Sequence, residues 1–99
     1  MSESKKFPNM PLWVNDWIGG TQMLSPAEEG VYLRLVLSQW QNGPLPADEK
    51  LLRRIARVGL DEWEEIWPYI KDKFTQSNGV VFNEKCAESQ KEVLAYREK

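Results

Sequence analysis

Lys50, Arg53, Arg54 and Arg57 stand at i, i+3, i+4 and i+7, the spacing that gathers side chains on one face of a helix. Ammonium and guanidinium groups so arranged suit phosphate contacts, each of which releases a counterion condensed on a nucleic acid. Lys5 and Lys6 add two charges to the same candidate interface. The competing reading is a solvated helix face, with Asp48 and Glu49 close by. The rest of the chain offers little chemistry. There is no histidine, which removes the usual general base, the usual zinc ligand and every Ser-His or Cys-His arrangement. One cysteine, Cys86, cannot make an internal disulfide or a thiolate zinc site, and with Lys85 alone beside it reads as a half-buried apolar residue. The pairs Glu28-Glu29 and Glu64-Glu65 would point about 100° apart on a helix, a poor arrangement for shared acid-base or metal work. Neither glycine-rich phosphate motif occurs, and Gly19-Gly20 reads as a turn. The expectation is a binding module, not an enzyme, with no catalytic residue, metal or cofactor.

The composition says what kind of body must carry that stripe. With 99 residues, 41% hydrophobic and 28% charged, the chain suits one globular domain. Its longest apolar stretch, Val31 to Leu37, is interrupted by Arg34 and falls far short of the ~20 residues a bilayer requires. No apolar region follows Lys5 and Lys6, so neither a signal peptide nor a membrane partner is expected, and a cytoplasmic protein is.

Local signals then divide the chain. Residues 1–11, with Pro8 and Pro11, read as a mobile arm, and Leu12 to Ile18 as a short strand that stops at Gly19-Gly20. Ser25-Pro26-Ala27-Glu28 places a capping serine, a proline at the first helical position and a glutamate at the third. A helix is expected from Pro26 to about Gln41, ended by Asn42-Gly43-Pro44. Apolar residues nearly surround it after the first turn, as in a central buried helix, and Gly30 within it implies close approach by another element.

Leu51, Leu52, Ile55 and Val58 lie opposite the basic stripe, and Gly59 is expected to end this second helix. Asp61 then caps a third, with Glu64 reaching back and Trp63, Ile66, Trp67, Ile70 and Phe74 on one apolar face, bent by Pro68. Two helices across a glycine turn make a helix-turn-helix pattern. Phe74 to Gln76 and Val80 to Phe82, around Ser77-Asn78-Gly79, form a hairpin, the wing. The expected fold is mainly α with a small β-hairpin, a winged-helix-like single domain over residues 12–83, followed over 84–99 by a solvent-exposed C-terminal helix packed at one edge through Cys86, Val93 and Leu94. Of the five tryptophans, Trp40, Trp63 and Trp67 sit on apolar stripes and are expected in the core rather than stacked on bases. Trp13 and Trp17 share one face of the expected strand and are also expected to be buried; exposed, they would form a partner surface.

From Leu12 to Ala87 the chain resembles the YdaU-like family of phage and prophage proteins, a domain of unknown function. The resemblance is carried by Trp13, Asp16 and Trp17, by Leu24-Ser25-Pro26-Ala27-Glu28-Glu29-Gly30-Val31-Tyr32, and by Gly43-Pro44-Leu45-Pro46-Ala47-Asp48. The arginine-rich helix into Gly59, Glu62-Trp63, Phe74, Asn78-Gly79 and Asn83-Glu84-Lys85-Cys86 continue it. It implies a winged-helix-like domain, usually near phage replication genes, with a role in DNA replication or replisome organisation. Many such proteins are longer, with a further C-terminal region; if that region carries the activity, the part seen here is a docking module. The family brings no catalytic residues.

The start of the third helix bears Asp61, Glu62, Glu64 and Glu65, which repel phosphates, and the net charge is −2. Groove reading by that helix is not expected. Either the second helix, arm and wing hold DNA, or the domain binds protein. The leading expectation is an accessory module of phage or prophage replication, with DNA or a replication protein as partner. The rival is a protein adaptor with no DNA contact, able to form a homodimer through its C-terminal helix. Charge placement separates them: a positive face shared by Arg53, Arg54, Arg57 and the wing favours DNA, and neutralisation by Glu84 and Glu88 favours the adaptor.

Overall fold

A computed structural model of the chain describes residues 9–97. Lys5, Lys6 and most of the expected arm lie outside the described residues. Five α-helices and a three-stranded antiparallel sheet follow one another as α1 (Val14–Thr21), α2 (Pro26–Asn42), β1 (Leu45–Pro46), α3 (Glu49–Ala56), α4 (Leu60–Ile70), β2 (Thr75–Ser77), β3 (Val80–Phe82) and α5 (Glu84–Arg97).

Helix α2 starts where its capping signals place it. Ser25 Oγ accepts from the Glu28 N–H at 3.1 Å, and the Glu28 carboxylate accepts from the Ser25 N–H at 2.9 Å, a reciprocal capping box. It ends at Gly43, whose φ of 88° few other residues tolerate. The helix is buried along one side by Val31, Leu35, Val36, Gln39 and Trp40, while Arg34 and Leu37 face solvent. It is therefore more one-sided than its sequence suggests. Gly30 is exposed, and a methyl group there would meet nothing within 4 Å, so the expected close approach is absent.

The stretch expected as a strand, Leu12 to Ile18, is helical instead: α1 begins at Val14 and runs through both Gly19 and Gly20. Its cap residue Trp13 makes no side-chain capping bond, so the helix draws its support from tertiary contacts. The Trp17 ring stacks on Tyr32 at 4.9 Å, its indole N–H donates to Glu29 at 2.6 Å, and Lys73 Nζ donates to the Gly20 carbonyl.

Helix α3 is capped by Asp48, whose carboxylate accepts from the Lys50 N–H at 2.9 Å, and it buries Leu52 and Ala56. Its end differs from expectation. Arg57 rather than Gly59 takes the left-handed conformation, with φ 63° and ψ 41°, and its N–H closes on the Arg53 and Arg54 carbonyls. Gly59 instead caps α4, with Glu62 reaching back to its N–H at 3.2 Å, so the expected Asp61–Glu64 arrangement sits two residues too late. Helix α4 includes Pro68 and stops at Ile70, where a 3₁₀ turn, Lys71–Lys73, takes over before Phe74.

Val31, Leu35, Leu45, Leu52, Ala56, Trp63, Ile66, Ile70 and Val81 form one core, contributed by α2, α3, α4 and the sheet. Trp63 and Trp67 stack at 4.9 Å, the first buried and the second half-buried. The hairpin turns on Asn78 (φ 52°) and Gly79 (φ 81°), the pair of positive φ values its sequence demands. No local pattern marks β1. It exists through its partner β3, with Leu45 opposite Val81, in the sheet order β1-β3-β2.

Helix α5 packs one edge on α2 and leaves its other side in solvent: Cys86 and Ser89 are buried and Val93 is half-buried, while Glu84, Lys85, Glu88, Lys91 and Glu92 are exposed. A polar latch holds its start. The fully buried Gln39 donates to the Asn83 carbonyl at 3.1 Å and accepts from the Asn83 N–H at 2.7 Å. The Asn83 side chain in turn caps α5 through the Cys86 N–H at 2.9 Å and donates to Tyr32 Oη and the Lys73 carbonyl. Gln90 donates to the carbonyls of Gln39 and Trp40 in the last turn of α2, where the Gln39 carbonyl also accepts from the Gly43 N–H.

Candidate nucleic-acid interface

Lys50 and Arg54 are exposed and Arg53 half-buried on the side of α3 away from the buried Leu52. The two acids nearest this stripe are otherwise engaged. Asp48 caps the helix, and Glu49 accepts from the Trp63 indole N–H at 3.0 Å. Among the described residues no carboxylate forms an ion pair with Lys50, Arg53, Arg54 or Arg57; the pair that forms joins Lys85 to Asp16 at 3.5 Å. The basic face therefore remains available to an anion.

Arg57 stands just past the end of α3, in the left-handed conformation. It lines a groove of about 590 Å³ between α2 and α3, together with Arg34, Ser38, Gln41, Ile55 and Asn9. Arg34, which sequence reasoning passed over as an interruption of an apolar run, thus shares a groove with Arg57. Twenty-three positions of chain separate the two, so only the packing of α2 on α3 brings them together.

The hairpin contributes no charge to this face: Thr75 to Phe82 contains no basic residue, so stripe and wing share no continuous positive face. Glu84 does not cover the stripe either: its carboxylate accepts from the Thr75 hydroxyl at 2.6 Å, at the base of the hairpin.

A second concavity, of about 240 Å³, opens between α1, α2 and the start of α5. Trp13, Trp17, Tyr32 and Trp40 supply its aromatic walls, with Val36 and Cys86 beneath and Asp16 and Lys85 among its lining. Trp13 is 48% exposed, contrary to the burial expected of it, and Lys85 Nζ lies 5.4 Å from its ring centre. Burial pushes the Cys86 thiol up to about 11, which makes it a poor nucleophile at neutral pH. Among the described residues no group of three or more carboxylate or thiol side chains could hold a metal ion, and no helix is long and apolar enough to cross a membrane.

Residues 8–90 match the family model described as protein of unknown function (DUF1376). The chain is also 35% identical over 68 residues to the uncharacterized protein YdaU of Escherichia coli strain K12, across 68% of this chain and 23% of that protein. It thus spans less than a quarter of the length of that relative. No solved structure matches it.

Proposed function

The chain belongs to the DUF1376 family, and from that premise we propose that it is a non-catalytic binding module that grips the phosphates of DNA through α3, as an accessory domain in phage or prophage replication. One observation carries the DNA reading: Lys50, Arg53, Arg54 and Arg57 project from one helix and its end without a carboxylate partner among the described residues, while the neighbouring Asp48 and Glu49 are committed to the fold. The replication setting rests on the resemblance to YdaU-like phage proteins. The element order α2-β1-α3-α4-β2-β3, with α3 and α4 joined by a tight turn and a hairpin after them, supports a winged-helix-like reading.

Substituting Arg53, Arg54 and Arg57 together by glutamine tests the grip. Side-chain length and helix propensity largely survive while three charges are lost. Affinity should fall similarly for unrelated sequences, and log affinity against log salt should become shallower by about 0.9 per lost duplex contact. Unchanged values of both would leave the stripe a solvated face. A second reading, a protein adaptor, is favoured by the apolar side of α1, where Val14 and Ile18 are 58% and 57% exposed.

A further inference from the structure

The two concavities adjoin. Met10 and Trp40 line both, so the groove lined by Arg34 and Arg57 borders a cavity walled by indole and phenol rings. We propose that this paired surface takes a single strand of DNA, one base entering the aromatic cavity beside Trp13 while the adjoining phosphate meets Arg34 and Arg57. This inference rests on the DNA reading above and adds to it a site off α3, a preference for unpaired bases, and a role for α1.

Two observations and one steric argument carry it. Cation and ring surfaces side by side are the two halves of single-strand recognition, in which a positive groove follows the backbone and aromatic faces stack the bases. A paired base could not enter, because its stack and its partner strand fill the space around it. The cavity, at about 240 Å³, is also smaller than the ~300–1,000 Å³ typical of sites for larger organic ligands, which suits a single ring.

The polar groups of the cavity define how the base is held. Asn83 donates to Tyr32 and to Lys73, Thr21 donates to the Trp17 carbonyl, and among the described residues no buried side-chain nitrogen or oxygen lacks a partner. Nothing buried waits to read a base edge. Recognition is by stacking, and it tolerates any sequence. Lys85, beside Trp13 and paired with Asp16, places a third cation at the cavity rim.

Arg57 gives the groove a further mark. A left-handed residue at a helix end is ordinarily glycine or asparagine, because the Cβ of any other residue crowds the following carbonyl oxygen there. Arg57 nonetheless lines the groove, and a glycine would leave that position without a charge.

The test compares a fluorescently labelled thymidine oligonucleotide of about twelve nucleotides, within the range of single-strand site sizes, with its duplex on oligodeoxyadenylate, by anisotropy across a salt series. The full chain should bind the single strand more tightly. Trp13→Ala should lower single-strand affinity roughly five- to hundredfold, with duplex affinity and salt slope unchanged. Trp13→Leu, which keeps an apolar side chain at the start of α1 but removes the ring, should do the same while circular dichroism stays native. Arg34→Gln, on an exposed face of α2, should flatten the single-strand salt slope by about 0.7. Equal affinity for both probes, with the Trp13 and Arg34 variants inert, overturns this site yet leaves the α3 reading standing. Absence of binding to either probe at about 50 mM salt, where phosphate contacts are strong, overturns both.

Discussion

Gln39 and Asn83 exchange hydrogen bonds in both directions across 44 positions of chain, the carboxamide of one acting as the strand partner that the backbone of the other lacks. Both are buried, so neither bond has water to replace it. Gln39→Leu fills similar space but strands one N–H and one carbonyl, each worth about 1–3 kcal/mol. Urea unfolding should show the loss, with α5 the first element to give up hydrogen-exchange protection. An unchanged midpoint would refute the latch.

Ser25→Ala removes one half of the capping box of α2 and should cost about 1 kcal/mol. A shift of the denaturation midpoint without change in slope is the expected record, because the rest of the fold keeps its packing.

Trp63 is 2% exposed at the centre of the main core, stacked on Trp67. Trp63→Ala should cost about 3–5 kcal/mol, a large part of what a domain of this size has to lose. Trp67→Ala should cost less, since that ring is half-buried. Equal losses would place both rings in the core.

Arg57→Gly relieves the left-handed backbone while restoring the freedom of the unfolded chain, so the net gain in stability should reach at most about 1 kcal/mol. DNA affinity should fall at the same time. Melting temperature and affinity moving in opposite directions would mark Arg57 as a residue kept for its charge; a simple loss of stability would refute the strain.

Alkaline pH should loosen the fold through Cys86. Its thiol titrates at about 11 in the folded protein against the ordinary 9.0, so the unfolded chain releases the proton first. Stability from this source is complete below pH 9.0 and drains away as pH rises towards about 11. Tyr32 is also raised, chiefly by burial, and acts in the same direction at higher pH. Comparing urea midpoints at about pH 8 and about pH 10.5, Cys86→Ala should show the smaller fall. Identical falls would exclude the thiol.

Where local chemistry decides structure, the sequence was readable. Ser25-Pro26-Ala27-Glu28 starts α2, Asn78-Gly79 turns the hairpin, and the stripe opposite Leu52 and Ile55 emerges on α3. Where tertiary contact decides, it was not. The run Leu12 to Ile18 is rich in residues that favour strands and ends in two glycines, yet Tyr32 and Glu29 hold it as a helix. Leu45–Pro46 has no periodicity to read, because β3 makes it a strand. Arg57 and Gly59 exchanged their expected roles because both positions lie in one short turn and either could have ended the helix. Half of the candidate site was legible as the α3 stripe. The Arg34–Arg57 groove and the aromatic cavity were not, since each joins segments whose relation is fixed only by packing.

The latch at Asn83 also sets a timetable. During synthesis the chain emerges from its N-terminus, at about 5–20 residues per second, and the carboxamide of Gln39, the edge of Leu45 and the hydroxyl of Tyr32 all wait for partners between Val80 and Asn83. Helices α2 to α4 can flicker into shape before then, but their core lacks Val81 and their polar groups lack a counterpart. Closure comes as a late event governed by long loops rather than by local propensity. A chain cut short before residue 80 would therefore leave Leu45 and Trp63 without Val81 and Trp40 without Cys86, exposing apolar surface that the complete segment through residue 90 covers.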